Sequence, residues 1–232
     1  MSRLSRVGEN GHTKRARRTS ERILSAAYEV VSAKGYRDTR IEEIAKRAEV
    51  APASIYNHFG SKAGISSAMA ERALAVHETY ASAAWNLDTS PLLRLIAAGG
   101  ATLRFAEEEP VAFRMMALAY LAPAADPIPA AVAGQIDERL RLQRERLAAG
   151  LEDAVSEGEL REMDVAGTAE FLLGAWTGAI SMKMRPKVSE DTRRTTAAGL
   201  QALLAGLAGP RALTAGGALR PAYLRAMEEA LA

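Results

Sequence analysis

Residues 39–62 (TRIEEIAKRAEVAPASIYNHFGSK) constrain the fold of this chain more than any other stretch. Apolar side chains recur at intervals of three and four over residues 41–48, which predicts a short amphipathic helix. Thr39 and Glu42 have the spacing of a capping box, so we expect this helix to begin at Arg40. The short apolar face suits a helix that packs against two others.

A second helix follows after a tight turn. Pro52 suits a first helical turn, where its missing N–H costs no hydrogen bond, and we predict a helix over residues 52–59 with Ile55 and Phe59 on its buried edge. None of the side chains expected on or near its open face is acidic: Ala53, Ser54, Tyr56, Asn57 and His58. Such groups can approach DNA base edges and phosphates without electrostatic repulsion. The spacing alone also fits an ordinary αα-hairpin with a polar solvent face.

Residues 19–62 resemble the DNA-binding domain of the TetR family of bacterial one-component repressors. The resemblance rests on a helix ending at Gly35-Tyr36, on Thr39, on Ile44-Ala45 and Ala48-Glu49-Val50, and on the run IYNHFGSK at 55–62 with its Tyr-x-His-Phe-x-x-Lys core. It implies an all-α fold. An N-terminal three-helix helix-turn-helix DNA-binding domain would be joined to a larger helical ligand-binding and dimerisation domain.

Two residues depart from the family pattern. Glu49 stands where such turns usually carry Gly, and a non-Gly residue at positive φ would cost about 1 kcal/mol. Ala51 replaces the usual Ser or Thr cap of the second helix, which costs roughly 1 kcal/mol more and removes a hydroxyl that often contacts phosphate.

The resemblance gives the open face a role in reading DNA. We expect the helix to enter the major groove from Pro52 onward, with Ser54 and Asn57 contacting bases and Ala53 contacting a thymine methyl. The expected phosphate contacts are Thr39, Tyr56, His58 and Lys62. The basic residues Arg15, Arg17 and Arg18 are expected to reach the minor groove or the phosphates.

Charge is distributed unevenly along the chain. Residues 1–65 carry 13 Lys and Arg against 7 Asp and Glu, a net charge of +6, whereas the rest of the chain has a net charge of −4. This asymmetry indicates a polyanionic partner at one end. Residues 1–18 are polar and basic without periodicity, so we predict a disordered arm, for which the alternative role is a solubilising tail.

The remaining sequence predicts a helical body. The predicted units are the DNA-binding domain (19–65), a ligand-binding and dimerisation domain (66–208), and a linker with a short C-terminal helix (209–232). Helices are expected over about 20–34, 62–85, 92–108, 130–157, 164–184 and 190–207, with a further helix beginning at Pro110. The Pro-rich segment 122–129 is predicted to be a loop.

Two surfaces of the body follow from the resemblance. TetR-like proteins pair their last two long helices across a homodimer, which would place these residues at the interface: Gly174, Gly178, Leu200, Leu203, Leu204 and Leu207. The family also has a ligand pocket, whose expected lining is Trp85, Phe105, Phe113, Met116, Tyr120, Phe171 and Trp176. Burial within one chain is the alternative for both sets. An apolar or flat effector is expected, with Arg104 or Arg114 as possible anchors for an acidic group.

We therefore predict a ligand-responsive transcriptional regulator, a repressor that binds a pseudo-palindromic operator as a homodimer and is released by a small-molecule effector. The alternative is a constitutive or architectural DNA-binding protein without a ligand. An enzyme is disfavoured, because the sequence lacks a nucleophile–base pair, a phosphate-binding Gly loop and metal-ligand spacing. We expect no cofactor, no metal, no membrane partner and a cytoplasmic location; the chain has no Cys.

Overall fold

The computed structural model describes residues 5–121, 130–183 and 192–231. These ranges hold ten α-helices, and two isolated β-bridges are their only strand-like pairings. The helices are α1 (Ser5–Lys34), α2 (Ile41–Arg47), α3 (Pro52–Phe59), α4 (Lys62–Trp85), α5 (Pro91–Glu108), α6 (Pro110–Leu121), α7 (Ala130–Ser156), α8 (Val165–Lys183), α9 (Thr192–Leu207) and α10 (Pro221–Leu231). The predicted all-α fold is confirmed. The predicted loop 122–129 lies outside the described residues.

Helices α1, α2 and α3 share one apolar centre at the N-terminal end of the molecule. Ile23, Ile44 and Ile55, one from each helix, are fully buried there. Gly35 directly follows the last residue of α1. Its φ is +83°, a left-handed conformation that Gly adopts without steric cost and that ends the helix. The predicted helix over residues 52–59 is confirmed to the residue.

The start of α2 differs from the prediction. The helix begins at Ile41, and the Glu43 carboxylate accepts a hydrogen bond of 3.0 Å from the Arg40 N–H, so the cap lies one residue later than the predicted pair. Thr39 is only 2% exposed, and its hydroxyl donates to the Gly35 carbonyl at 2.8 Å. The Thr39 side chain thus links the segment after α1 to the start of α2 through a hydrogen bond.

The predicted disordered arm is wrong for residues 5–18, which form the first half of α1. The segment contains no Pro, and adding turns to a helix that is already nucleated costs little free energy. Two contacts within the helix support these turns. The Thr19 hydroxyl donates to the Arg15 carbonyl at 3.1 Å, and Arg17 lies 3.5 Å from the Glu21 carboxylate one turn later.

Helix α4 joins the two halves of the molecule. As predicted, Ser61 caps it, because the Ser61 Oγ accepts a hydrogen bond of 3.0 Å from the Gly64 N–H. Further along, the Tyr28 hydroxyl of α1 donates to the Met69 carbonyl of α4 at 2.5 Å. Helix α4 also packs against α5, α6 and α7, so it belongs to both the DNA-binding domain and the body.

The C-terminal segment is held to the body by a buried carboxylate. Glu159 is 3% exposed and accepts hydrogen bonds from the Leu92 N–H at 2.9 Å and from the Tyr223 hydroxyl at 2.6 Å. Burial is the largest cause that raises the pKa of Tyr223, followed by its hydrogen bond to Glu159. Helix α10 lies so close to α5 that a Cβ on Gly100 would sit 2.7 Å from Ala230. The C-terminal helix therefore packs on the body, one of the two locations that we predicted.

None of the helices in the described ranges is long and apolar enough to cross a membrane.

Candidate DNA-binding surface and ligand cavity

The outer face of α3 is open to solvent. Ile55 is buried beneath it, Ser54 is half-buried, and Tyr56 is 50% exposed. Four further residues of the helix are exposed and leave the face without an acidic group: Pro52, Ala53, Asn57 and His58. This surface can therefore approach a polyanion directly.

The turn before α3 has a backbone conformation that is energetically unfavourable for its residues. Glu49 has a φ of +52°, the one positive value at a non-Gly residue in the described part of the chain. Ala51 occupies the N-cap position and offers no side-chain hydrogen bond. The Arg22 guanidinium of α1 donates to the Ala48 carbonyl at 2.6 Å and to the Glu49 carbonyl at 3.4 Å, which ties this turn to the first helix.

Cationic side chains lie at the side of α3 where α4 begins. The Lys62 ammonium stands 4.7 Å from the centroid of the Tyr36 ring and donates to the Arg37 carbonyl at 3.0 Å. Arg37 and Arg40 are exposed in the connection before α2. Sequence reasoning did not select these two arginines, although their position beside the helix-turn-helix could have indicated them.

The predicted basic residues before the domain are exposed as well. Arg15, Arg17 and Arg18 project from the N-terminal half of α1. These three side chains therefore project from an α-helix and not from a disordered arm.

A cavity of about 170 Å³ lies in the body, between helices α4 to α9. Its wall is mainly aliphatic and carries two indole rings, from Trp85 and Trp176. The leucines in the wall are Leu92, Leu95, Leu147, Leu151, Leu160, Leu172, Leu173, Leu200, Leu203, Leu204 and Leu207. A mainly apolar wall with a few polar groups is typical of small-molecule sites.

A polar bridge across the cavity wall joins three helices. His77 of α4 has its Nε2 at 3.0 Å from the Thr102 hydroxyl of α5 and its Nδ1 at 3.1 Å from the Gln143 amide of α7. The Thr102 hydroxyl gives its proton to the Ala98 carbonyl, so His77 donates from Nε2 and accepts at Nδ1. Burial is the main cause that lowers the pKa of His77 to about 4, which keeps the ring neutral.

The charged residues of the cavity wall neutralise one another. Arg146 of α7 binds the Glu78 carboxylate of α4 at 2.6 Å, and both side chains are partly exposed. Among the described residues no group of His, Asp and Glu side chains could hold a metal ion.

Comparison with known proteins agrees with the geometry of the N-terminal domain. The sequence model of the family described as "Bacterial regulatory proteins, tetR family" matches residues 23–69, from within α1 to the first turns of α4. Residues 23–69 therefore form a TetR-type N-terminal domain. Over 53 residues it is 43% identical to the uncharacterized HTH-type transcriptional regulator YvkB of Bacillus subtilis (strain 168), a match that covers 23% of this chain and 28% of that relative.

Solved structures extend the similarity in fold to the body of the chain. A gamma-butyrolactone receptor (ArpA like protein) has a TM-score of 0.67 at 23% identity, covering 94% of this chain and 98% of the receptor. AibR, in complex with isovaleryl coenzyme A and operator DNA, has a TM-score of 0.59 at 19% identity, covering 70% of this chain and 86% of AibR. These identities show that the fold is shared.

The predicted pocket residues separate into distinct groups. Trp85, Met116 and Trp176 line the cavity. Phe105 and Phe113 are fully buried and pack edge to face at 6.2 Å, so they fill the core and not the cavity wall. Phe171 is 62% exposed on α8, which contradicts its assignment to the pocket. The side chain of Tyr120 lies outside the described residues.

The arginines proposed as anchors do not reach the cavity. Arg104 and Arg114 are exposed, and neither belongs to the cavity wall. Their positions in α5 and α6 face solvent because the opposite sides of these helices carry the core. The polar wall residues that the sequence did not indicate are instead His77, Thr102, Gln143 and Thr177.

The residues predicted for the dimer interface also divide. Leu200, Leu203, Leu204 and Leu207 line the cavity of their own chain, and of the four only Leu204 is buried, so their place in a dimer interface stays a prediction. No described residue has an atom within 4 Å of a Cβ added to Gly174 or Gly178 of α8, so the described part of the chain leaves this side of α8 open.

Proposed function

We propose that this TetR-family protein is a ligand-responsive transcriptional repressor that binds a pseudo-palindromic operator as a homodimer and is released by a small-molecule effector. The observation that carries the proposal is the open face of α3, which lacks acidic groups and is followed by Lys62 in the first turn of α4. Because the proposed partner is DNA, the protein acts in the bacterial cytoplasm.

On this proposal the residues of α3 divide into those that read sequence and those that position the protein. Asn57 and Ser54 contact base edges, and Ala53 contacts a thymine methyl, with Pro52 at the start of the inserted helix. Tyr56, His58 and Lys62 contact phosphates, and Arg15, Arg17 and Arg18 contact the minor groove or the flanking backbone. Thr39 is left out of this set because its hydroxyl is buried and already bonded.

A homodimer formed through α8 and α9 is supported by the apolar side chains that α8 leaves uncovered. Phe171 is largely exposed, and Met182 is 49% exposed, on the helix whose Gly174 and Gly178 would let a partner backbone approach closely. Large exposed apolar side chains beside small residues are typical of a surface that a second chain covers. Two recognition helices about 34–36 Å apart would then read successive major grooves.

Release by a small molecule is supported by the cavity. It lies against α4, the helix that also begins beside the DNA-reading face, so an effector that prefers one position of α4 would shift the population away from the DNA-binding state. Two structural neighbours support an effector, since one is a gamma-butyrolactone receptor and the other is bound to isovaleryl coenzyme A.

Selection of bound sequences from a random duplex pool tests the proposal. We expect a two-fold symmetric consensus, bound by two chains, whose affinity falls linearly with the logarithm of salt concentration but stays well above that for random DNA. If no consensus emerges and binding disappears as salt rises, the protein is instead an architectural DNA-binding protein.

A further inference from the structure

We propose that the effector is an uncharged, mainly apolar compound with a carbonyl or similar acceptor, and that the Trp176 Nε1–H donates a hydrogen bond to that acceptor. The inference rests on the proposed ligand-responsive function and names the chemistry of its effector. It starts from a buried donor that has no partner.

Trp176 lies in the cavity wall, and its Nε1 is buried without a hydrogen-bond acceptor among the described residues. Of the buried side-chain groups that lack a partner in the described part of the chain, it is the one that lines the cavity. An indole N–H is a donor only and usually has a partner when buried, because leaving it unpaired costs free energy. A ligand acceptor in the cavity would remove that cost.

The imidazole and the charged groups of the cavity wall already have partners. The His77 ring is bonded through both nitrogens, to Thr102 and to Gln143. Arg146 is bound to Glu78 at 2.6 Å. A carboxylate ligand would therefore meet no cation that is not already neutralised, and burying an unpaired charge is far more costly than burying a carbonyl.

The cavity also limits the size of the ligand. Its volume of about 170 Å³ is close to that of engineered cavities of about 150 Å³ that bind benzene. The Trp176 ring lies against Gly99 of α5, where an added Cβ would come within 3.3 Å of its Cζ2. A cavity of this volume with a flat indole in its wall favours a small, flat ligand.

The test compares acetophenone, ethylbenzene and benzoate, which share a phenyl ring and differ in one substituent. Binding to the full chain is measured by isothermal titration calorimetry at neutral pH. We expect acetophenone to bind about five to ten times more tightly than ethylbenzene, because one hydrogen bond separates them, and benzoate to bind most weakly.

Two variants assign the hydrogen bond. Trp176→Phe removes the donor, and we expect the preference for acetophenone over ethylbenzene to disappear. Trp85→Phe is the matched control, because it removes the same group from the other indole of the wall, and we expect it to retain the preference. The ratio of two affinities within one variant is insensitive to a general loss of packing.

Each other outcome overturns the inference, and the outcomes distinguish it from the proposed function. Tightest binding by benzoate would overturn the uncharged ligand, and a preference that persists in Trp176→Phe would overturn the donor role, while ligand responsiveness stands in both cases. If none of the compounds binds although the protein still binds its selected operator, the inference falls and the proposed DNA binding stands.

Discussion

Two side chains of α4 have pKa values that are shifted in opposite directions. For Tyr80, the hydrogen bond to the Glu108 carboxylate is the largest cause that raises its pKa to about 12. His77 is the opposite case, because it is buried beside the cavity and its pKa is lowered to about 4. Its hydrogen bonds to Thr102 and Gln143 require a neutral ring with one donor and one acceptor.

The free energy of unfolding should therefore depend on pH through His77. The unfolded side chain titrates near pH 6.5 and the folded one near 4, so the unfolded chain binds more protons between these values. The stabilising contribution is present above pH 6.5 and is lost as pH falls towards 4. Between pH 7 and 4.5 we expect the wild type to lose roughly 2 kcal/mol more than His77→Gln, as measured by chemical denaturation. Equal losses in the two proteins would contradict the assignment.

At the scale of elements, the junction of α3 and α4 depends on one small residue. A Cβ on Gly64 would lie 1.8 Å from the Phe59 carbonyl oxygen, and this oxygen belongs to the last turn of the recognition helix. Because the clash is with the backbone, no side-chain rotation relieves it. The position of α3 relative to α4 is thus fixed by the absence of a side chain.

Gly64→Ala should destabilise the protein by about 3 kcal/mol and reduce DNA binding, since α3 has to move. Gly134→Ala in α7 is the control, because nothing lies within 4 Å of its added Cβ, and it should stabilise the protein by about 0.5–1 kcal/mol. Thermal unfolding together with DNA titration measures both effects. A Gly64→Ala protein as stable as the wild type would show that the junction is looser than described.

Most element positions could be predicted from the sequence, because caps and periodicity are local. Ser61 and Pro52 marked the starts of α4 and α3 correctly. The surface that an apolar helix face packs against depends instead on residues that are distant in sequence. The leucines of α9 have the same spacing whether they line a cavity or a dimer seam, so their place in the cavity wall is seen only once α9 is packed against α8 and α10.

The same limit applies to the large side chains of the body. Phe105 and Phe171 have similar sequence surroundings, yet one fills the core and the other faces solvent. The bridge through His77 was also not predictable, because its partners in α5 and α7 are distant in sequence. The open face of α3 was easier to predict, since all its members lie within eight residues of one helix.

For the whole molecule, α4 gives a physical route between the two proposed sites. One end carries Lys62 beside the DNA-reading face, and the other carries His77, Ala81 and Trp85 in the cavity wall. Helix α6 gives a second route, since it contributes Met116 to the wall and packs on α1. Both helices would have to move together if a ligand and DNA prefer different arrangements of the domains.

The central claim is that the open face of α3 reads base sequence, and the most direct test is the consensus selected by Asn57→Ala from a random duplex pool. We expect the preferred base to change at two symmetry-related positions while the rest of the wild-type consensus remains. Lys62→Ala serves as the control, since it should keep the consensus, weaken binding to all DNA and lower the salt slope by about one. An Asn57→Ala consensus identical to that of the wild type would contradict the claim.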